Sequence, residues 1–258
     1  MPAWPETTML TGMNESFLSS TPLLDTHSPA LTSLAEERRW RELPERERIG
    51  AIYEFVRDEI RFGYNRSDDV PASEVLRDGY GQCNTKSTLL MALLRAAGIA
   101  CRFHGFTIDK KLQKGVVTGL FYWLAPREIL HSWVEVEVDE QWVGLEGVIL
   151  DDAYLEGVRR HTGITEGPLL GYAVGTEDVG HPGVQWKGEA TFIQRTGIAQ
   201  DLGLFDDPDA FYARQGTNLG GVRRWLFENV IRHRMNRRVE RLRAGGETTA
   251  CSTLAASI

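Results

Sequence analysis

A mixed fold, with a buried helix laid against antiparallel strands inside one compact domain, is what this sequence predicts, and three observations predict it. Residues 83–97 are strong helix formers, apolar on most sides, and end at Gly98 in the position of a C′ cap. Residues 129–138 and 141–149 alternate apolar and polar on either side of Asp139-Glu140, the pattern of a β-hairpin. The 258 residues, 42% hydrophobic and 25% charged, have the make-up of a globular protein with a substantial core.

Taken in order, residues 1–30 mix Pro, Ser and Thr without periodicity and read as a loosely attached arm. A single domain follows over residues 31–244, its core at about 45–150. Ile49, Ile52, Tyr53, Val56 and Ile60 recur at three- and four-residue steps and predict an amphipathic helix over 45–61. A short strand over 61–64, a polar loop over 65–69 and a short helix over 72–76 come next. The breaker-rich turn Gly79-Tyr80-Gly81-Gln82 leads into the helix that begins at Cys83. Residues 99–108 read as a strand, and 109–128 as a long excursion whose aromatic triplet Phe121-Tyr122-Trp123 suits core or interface. Beyond Asp151, glycines from Gly157 to Gly188 break every periodicity, so that region is expected as irregular cover for one side of the core. Residues 211–214 and 222–242 read as helical, and 245–258 as a flexible tail.

Several function classes are disfavoured. The first residues lack the basic start and apolar run of a secretion signal, and no later run approaches a membrane span, so the chain is expected to be soluble and cytoplasmic. Cys83, Cys101 and Cys251 are irregularly spaced and odd in number, which suits a reducing compartment rather than a disulfide framework. A formal net charge of −7 gives no general attraction to nucleic acid. Residues 221–244 carry eight Arg against Glu228 and Glu240, and this basic helix either meets an acidic partner or packs its apolar stripe on the domain. Cys83, Cys101, His104 and His131 form no close ligand pair, so no metal or other cofactor is expected. Oligomeric state is left open.

The chemistry centres on Cys83, which is either a nucleophile or a small buried hydrophobe. A thiol at a helix N-terminus meets unpaired N–H groups and the positive end of the macrodipole, which favour the thiolate and could hold an oxyanion. His131 lies on the strand face opposite Val134, Val136 and Val138, free to take a proton from a thiol. If Asp139 and Glu140 form a two-residue turn, Val138 opposes Gln141, Val136 opposes Val143, and Trp133 opposes Glu146. Glu146 is then diagonal to His131 at ~7–8 Å between backbones, within side-chain reach. Otherwise Glu146 is a surface acid, with Asp151 or Asp152 left for the third role. Gln82 and Tyr80 are candidates to support an oxyanion; His104 and Trp133 are candidates to line the cleft, His104 having a structural role as its alternative.

Gly81-Gln82-Cys83, His131-Ser132-Trp133-Val134-Glu135-Val136 and Trp142-Val143-Gly144-Leu145-Glu146 resemble the Cys, His and Asp blocks of the transglutaminase-like superfamily, as found in bacterial-type domains. The resemblance covers roughly residues 49–150. It implies an α+β fold related to papain, with the cysteine helix packed on an antiparallel sheet that supplies the histidine and the acid. It further implies acyl-enzyme chemistry on an amide, peptide or thioester substrate, by hydrolysis or transfer. Asn84 stands where the animal cross-linking enzymes usually have Trp, and Glu146-Gly147 where the family has Asp-Pro. A catalytically silent module that binds a partner through its cleft or basic helix is the rival class.

Overall fold

The computed structural model describes residues 16–119, 122–123 and 125–245. Helices α1 (Pro29–Glu37), α2 (Glu45–Glu54) and α3 (Ala72–Asp78) precede the central helix α4 (Cys83–Ala96). Strands β1 (Cys101–Asp109), β2 (Glu128–Val138) and β3 (Gln141–Gly144) follow, then α5 (Asp152–Thr162) and β4 (Ile198–Phe205). The chain ends in α6 (Pro208–Gln215), α7 (Gly221–Leu226), a π-helical turn Phe227–Ile231 and α8 (Arg232–Arg243). The fold is α+β: a four-stranded antiparallel sheet in the order β3-β2-β1-β4, with α4 packed across it and two small two-stranded sheets beside it.

Every residue of α4 from Cys83 to Arg95 is buried, although its first turns are polar. Each of those polar groups has a partner, as burial demands. Thr85 Oγ1 donates to Asn65 Oδ1 (2.6 Å), Ser87 Oγ to Ser132 O (3.2 Å) and Thr88 Oγ1 to Asn84 O (3.0 Å). Lys86 is enclosed completely, its Nζ donating to Arg57 O (3.0 Å), and burial pulls its pKa down to about 7.

The hairpin has the expected register, Val136 opposite Val143 and Val138 opposite Gln141, closed by Asp139 and Glu140 at φ of 52° and 64°. Positive φ at both central residues matches the right-handed twist of the strands. The second strand is shorter than expected, however. It stops at Gly144, and Glu146–Ile149 turns into a 3-10 helix, because residue Thr191 takes over the backbone partners: Thr191 N donates to Gly144 O (2.9 Å) and Glu146 N to Thr191 O (3.0 Å).

Two further expectations are corrected. The arm over residues 1–30 is docked in its described part: Leu24 is fully buried, Cys101 N donates to Phe17 O (3.2 Å) and Ala72 N to Leu23 O (2.9 Å). The glycine-rich region holds helix α5 and edge strand β4. Gly157 sits inside α5 because α8 crosses there, and a Cβ on it would lie 2.0 Å from Leu242 O. The basic helix packs its apolar stripe on the domain, as one of its two readings has it: Met235, Val239 and Leu242 are buried, while Arg243 pairs with Asp151 (2.7 Å) and donates to Phe62 O (2.9 Å). The tail over 246–258, with Cys251, and Phe121 of the aromatic triplet lie outside the described residues. No helix among the described residues is long and apolar enough to cross a membrane.

Candidate active site

Gln82 starts α4 with a capping box: its side chain accepts from the Thr85 backbone, and Thr85 Oγ1 accepts from Gln82 N (3.0 Å). The N–H groups of Cys83 and Asn84 stay outside the box and face the Cys83 sulfur. The thiol is nevertheless pushed well up, first by burial and then by the Asp68 and Glu146 carboxylates; the two N–H groups oppose this and are outweighed. Burial thus biases Cys83 toward the neutral thiol, against the pull of its helix-terminal placement.

His131 is fully buried on β2, facing Phe106 across the sheet. Its Nε2 lies 2.7 Å from Glu146 Oε1, and Glu146 is also fully buried. Glu146 Oε2 accepts from the N–H groups of Ile193 (2.9 Å) and Gln194 (3.0 Å). A surface-acid role for Glu146 is thereby excluded. The turn at Gly144 that took Glu146 off the strand brings its carboxylate under those two N–H groups. A carboxylate against Nε2 assigns the proton to that nitrogen, so Nδ1 is the acceptor. Nδ1 is buried with no hydrogen-bond partner among the described residues.

Asn84 ties the cysteine helix to the histidine strand. Its Nδ2 donates to Leu130 O (3.0 Å) and its Oδ1 accepts from Ser132 Oγ (2.9 Å), the residues on either side of His131. Sequence reasoning registered Asn84 only as a departure from Trp; its place in the first helical turn beside Cys83 was the available signal. Asp68, in the wall beside Cys83, was also missed. Its carboxyl is raised by burial, against hydrogen bonds from Gln82 Nε2 (3.1 Å) and Asn218 Nδ2 (2.7 Å).

Cys83 opens onto a cavity of about 270 Å³. Phe62, Tyr64, Ile129 and Leu130 form part of its wall, and Leu226, Phe227, Ile231 and Met235 of the C-terminal helices form its roof. The other candidates are placed differently. Gln82 lines the cavity, but its amide is spent on Asp68 and on Asn65 N (2.9 Å). Tyr80 is outside the lining, and its hydroxyl accepts from Arg232 Nη1 (3.5 Å), because it pairs with Arg61 in a short parallel ladder.

His104 and Trp133 share the sheet face that carries Arg102, Phe106, His131 and Glu135, and neither they nor His131 line the cavity. Trp133 stacks on Phe106 at 3.8 Å, and His104 binds Glu135 (2.6 Å) and Asp201 (2.9 Å). Burial alone would raise Glu135, but His104 and Arg102 bring it down to about 2. Cys101 faces the other way, its thiol toward Met91 O (3.7 Å). Asp151, the alternative third acid, caps α5 and pairs with Arg243. No group of three or more His, Cys, Asp or Glu among the described residues could hold a metal ion.

A buried cysteine helix on an antiparallel sheet, with a histidine of that sheet and a carboxylate in contact with each other, defines an α+β class of architecture. Residues 32–146 match the family model of the transglutaminase-like superfamily, and the chain carries a domain of that superfamily. No curated protein matches the sequence. Among solved structures, a candidate cysteine protease from Cytophaga hutchinsonii aligns with 80% of this chain and 51% of its own, at 13% identity and a TM-score of 0.45. This chain thus spans about half the length of that protein.

Proposed function

We propose that the protein is a cysteine enzyme that forms an acyl-enzyme on Cys83, with His131 as base and Glu146 as the group that orients and stabilises the imidazolium. The observation that carries this reading is the buried His131 with Nε2 on Glu146 and Nδ1 unpartnered. A buried nitrogen without a partner costs roughly 1–3 kcal/mol, and a site for proton transfer is a reason to keep one. Asn84, gripping the strand on both sides of His131, supports the same assignment.

A thiol that burial biases toward its neutral form fits general-base catalysis. As Cys83 Sγ bonds to a carbonyl carbon, its proton passes to His131 Nδ1, and the N–H groups of Cys83 and Asn84 stabilise the oxygen that gains charge. The leaving amine or thiolate departs with that proton. Water or an amine then attacks the acyl carbon, gives its proton to His131, and the C–S bond breaks to regenerate the thiol. Amide, peptide and thioester carbonyls all suit this sequence of steps.

Alkylation tests it. Iodoacetamide is expected to label Cys83 in preference to the enclosed Cys101, at a rate that climbs with pH, and His131→Ala is expected to slow labelling tenfold or more. Equal rates in the wild type and His131→Ala would sink the base assignment and favour a silent binding module.

A further inference from the structure

The proposed acyl-enzyme leaves open what Cys83 carries, and the cavity bears on it. Charged side chains in the wall are already engaged: Arg224 pairs with Asp69 (3.2 Å) and Glu228 (3.0 Å), Arg66 with Glu74 (2.7 Å), and Asp68 accepts from Gln82 and Asn218. Arg223 is exposed at the rim. Most of what remains is apolar, with Ile129 and Leu130 on one side and Leu226, Phe227, Ile231 and Met235 overhead. A polar peptide threaded here would bring donors and acceptors that find few partners, and each buried, unpaired group is costly. An apolar guest strands none.

From these observations we infer that the group transferred to Cys83 is an apolar acyl group, aliphatic or aryl, held under the C-terminal helices. The inference rests on the acyl-enzyme reading. At about 270 Å³ the cavity is near the lower end of small-molecule pockets, roughly 300–1,000 Å³, which suits a short or medium chain. The roof side chains come from residues 226–235, beyond the segment that matches the superfamily, so this specificity belongs to the present chain rather than to the shared architecture.

The test uses the full chain and p-nitrophenyl acetate, butyrate and hexanoate, with a polar peptide p-nitroanilide for comparison. Nitrophenolate or nitroaniline release is followed, and the mass added at Cys83 is measured, with Cys83→Ala as blank. The acylation constant is expected to rise about tenfold for each two methylenes buried, with the peptide slowest. In Phe227→Asn, and separately in the less buried Leu226→Asn, the acetate-to-hexanoate gradient is expected to shrink to threefold or less. Acylation of Cys83 at equal rates by all three esters, or fastest by the peptide, would overturn the apolar-acyl inference and leave the acyl-enzyme standing. Absence of any adduct on Cys83 would overturn both.

Discussion

Replacing Glu146 by Gln changes one atom pair in a fixed frame, and the frame dictates which way the new amide points. Ile193 N–H and Gln194 N–H both face Glu146 Oε2, so the carboxamide oxygen must lie there. Its NH2 group then faces His131 Nε2, which must accept. The imidazole proton moves to Nδ1, the nitrogen that should receive the Cys83 proton, and the base is switched off. Turning the amide round would restore the tautomer but leave two buried N–H groups unpaired, at about 1–3 kcal/mol each. The productive form is thus disfavoured by roughly 2–6 kcal/mol, a loss of about thirtyfold to twenty-thousandfold in rate. The measurement is the p-nitrophenyl hexanoate acylation constant of the wild type and Glu146→Gln, with urea midpoints to show that both are folded. Imidazole 15N shifts should report the proton moving from Nε2 to Nδ1. Glu146→Gln acylating within threefold of the wild type would refute the tautomer argument.

Asn84→Ala removes the bridge to Leu130 and Ser132, leaving two buried polar groups without partners, and should cost about 2–5 kcal/mol in urea unfolding; a change under 0.5 kcal/mol would show that the helix and strand do not depend on it. Alkylation of Cys83 in that variant should also slow, since the sulfur and imidazole are no longer held in register. Lys86 has its folded pKa lowered by burial from 10.5 to about 7. The unfolded state therefore binds more protons between those pH values, and stability should rise with pH across that window, by at most about 5 kcal/mol. Lys86→Met should be the more stable protein near pH 7, and the wild type should close the gap as pH approaches 10; a gap independent of pH would show that Lys86 is not desolvated. Gly157→Ala places a methyl against Leu242 O and should lower the melting temperature by several degrees, a shift read by calorimetry.

What the sequence made legible was local. Asp139-Glu140 between alternating strands set the hairpin register, and Gly98 marked the end of the buried helix. Glu146 was reached by extending that register, and the side chain does meet His131, but by another route. Thr191, 45 residues further on, ends the strand early and turns the acid inward. Such a partner has no signature near Glu146. The surroundings of Cys83 were out of reach for a related reason: a helix N-terminus is visible in sequence, whereas enclosure by Asp68 and the C-terminal roof, which pushes the thiol up, is not. Within α5, Gly157 looked like a breaker because its purpose, admitting Leu242, lies on a distant helix.

The roof also sets an order of events during synthesis. Cys83, His131 and Glu146 all emerge before the glycine-rich region that supplies the Ile193 and Gln194 N–H groups, and well before Leu226 to Met235. A nascent chain halted near residue 215 would carry the Cys83 thiol with the roof side of its pocket bare to solvent. Because domains fold as their parts emerge, at about 5–20 residues per second, the cavity is finished only when the arginine-rich helix comes down and Met235, Val239 and Leu242 are buried. Closure of the core and completion of the pocket are then one step, and a partly made copy is left without the roof that would grip an apolar acyl group.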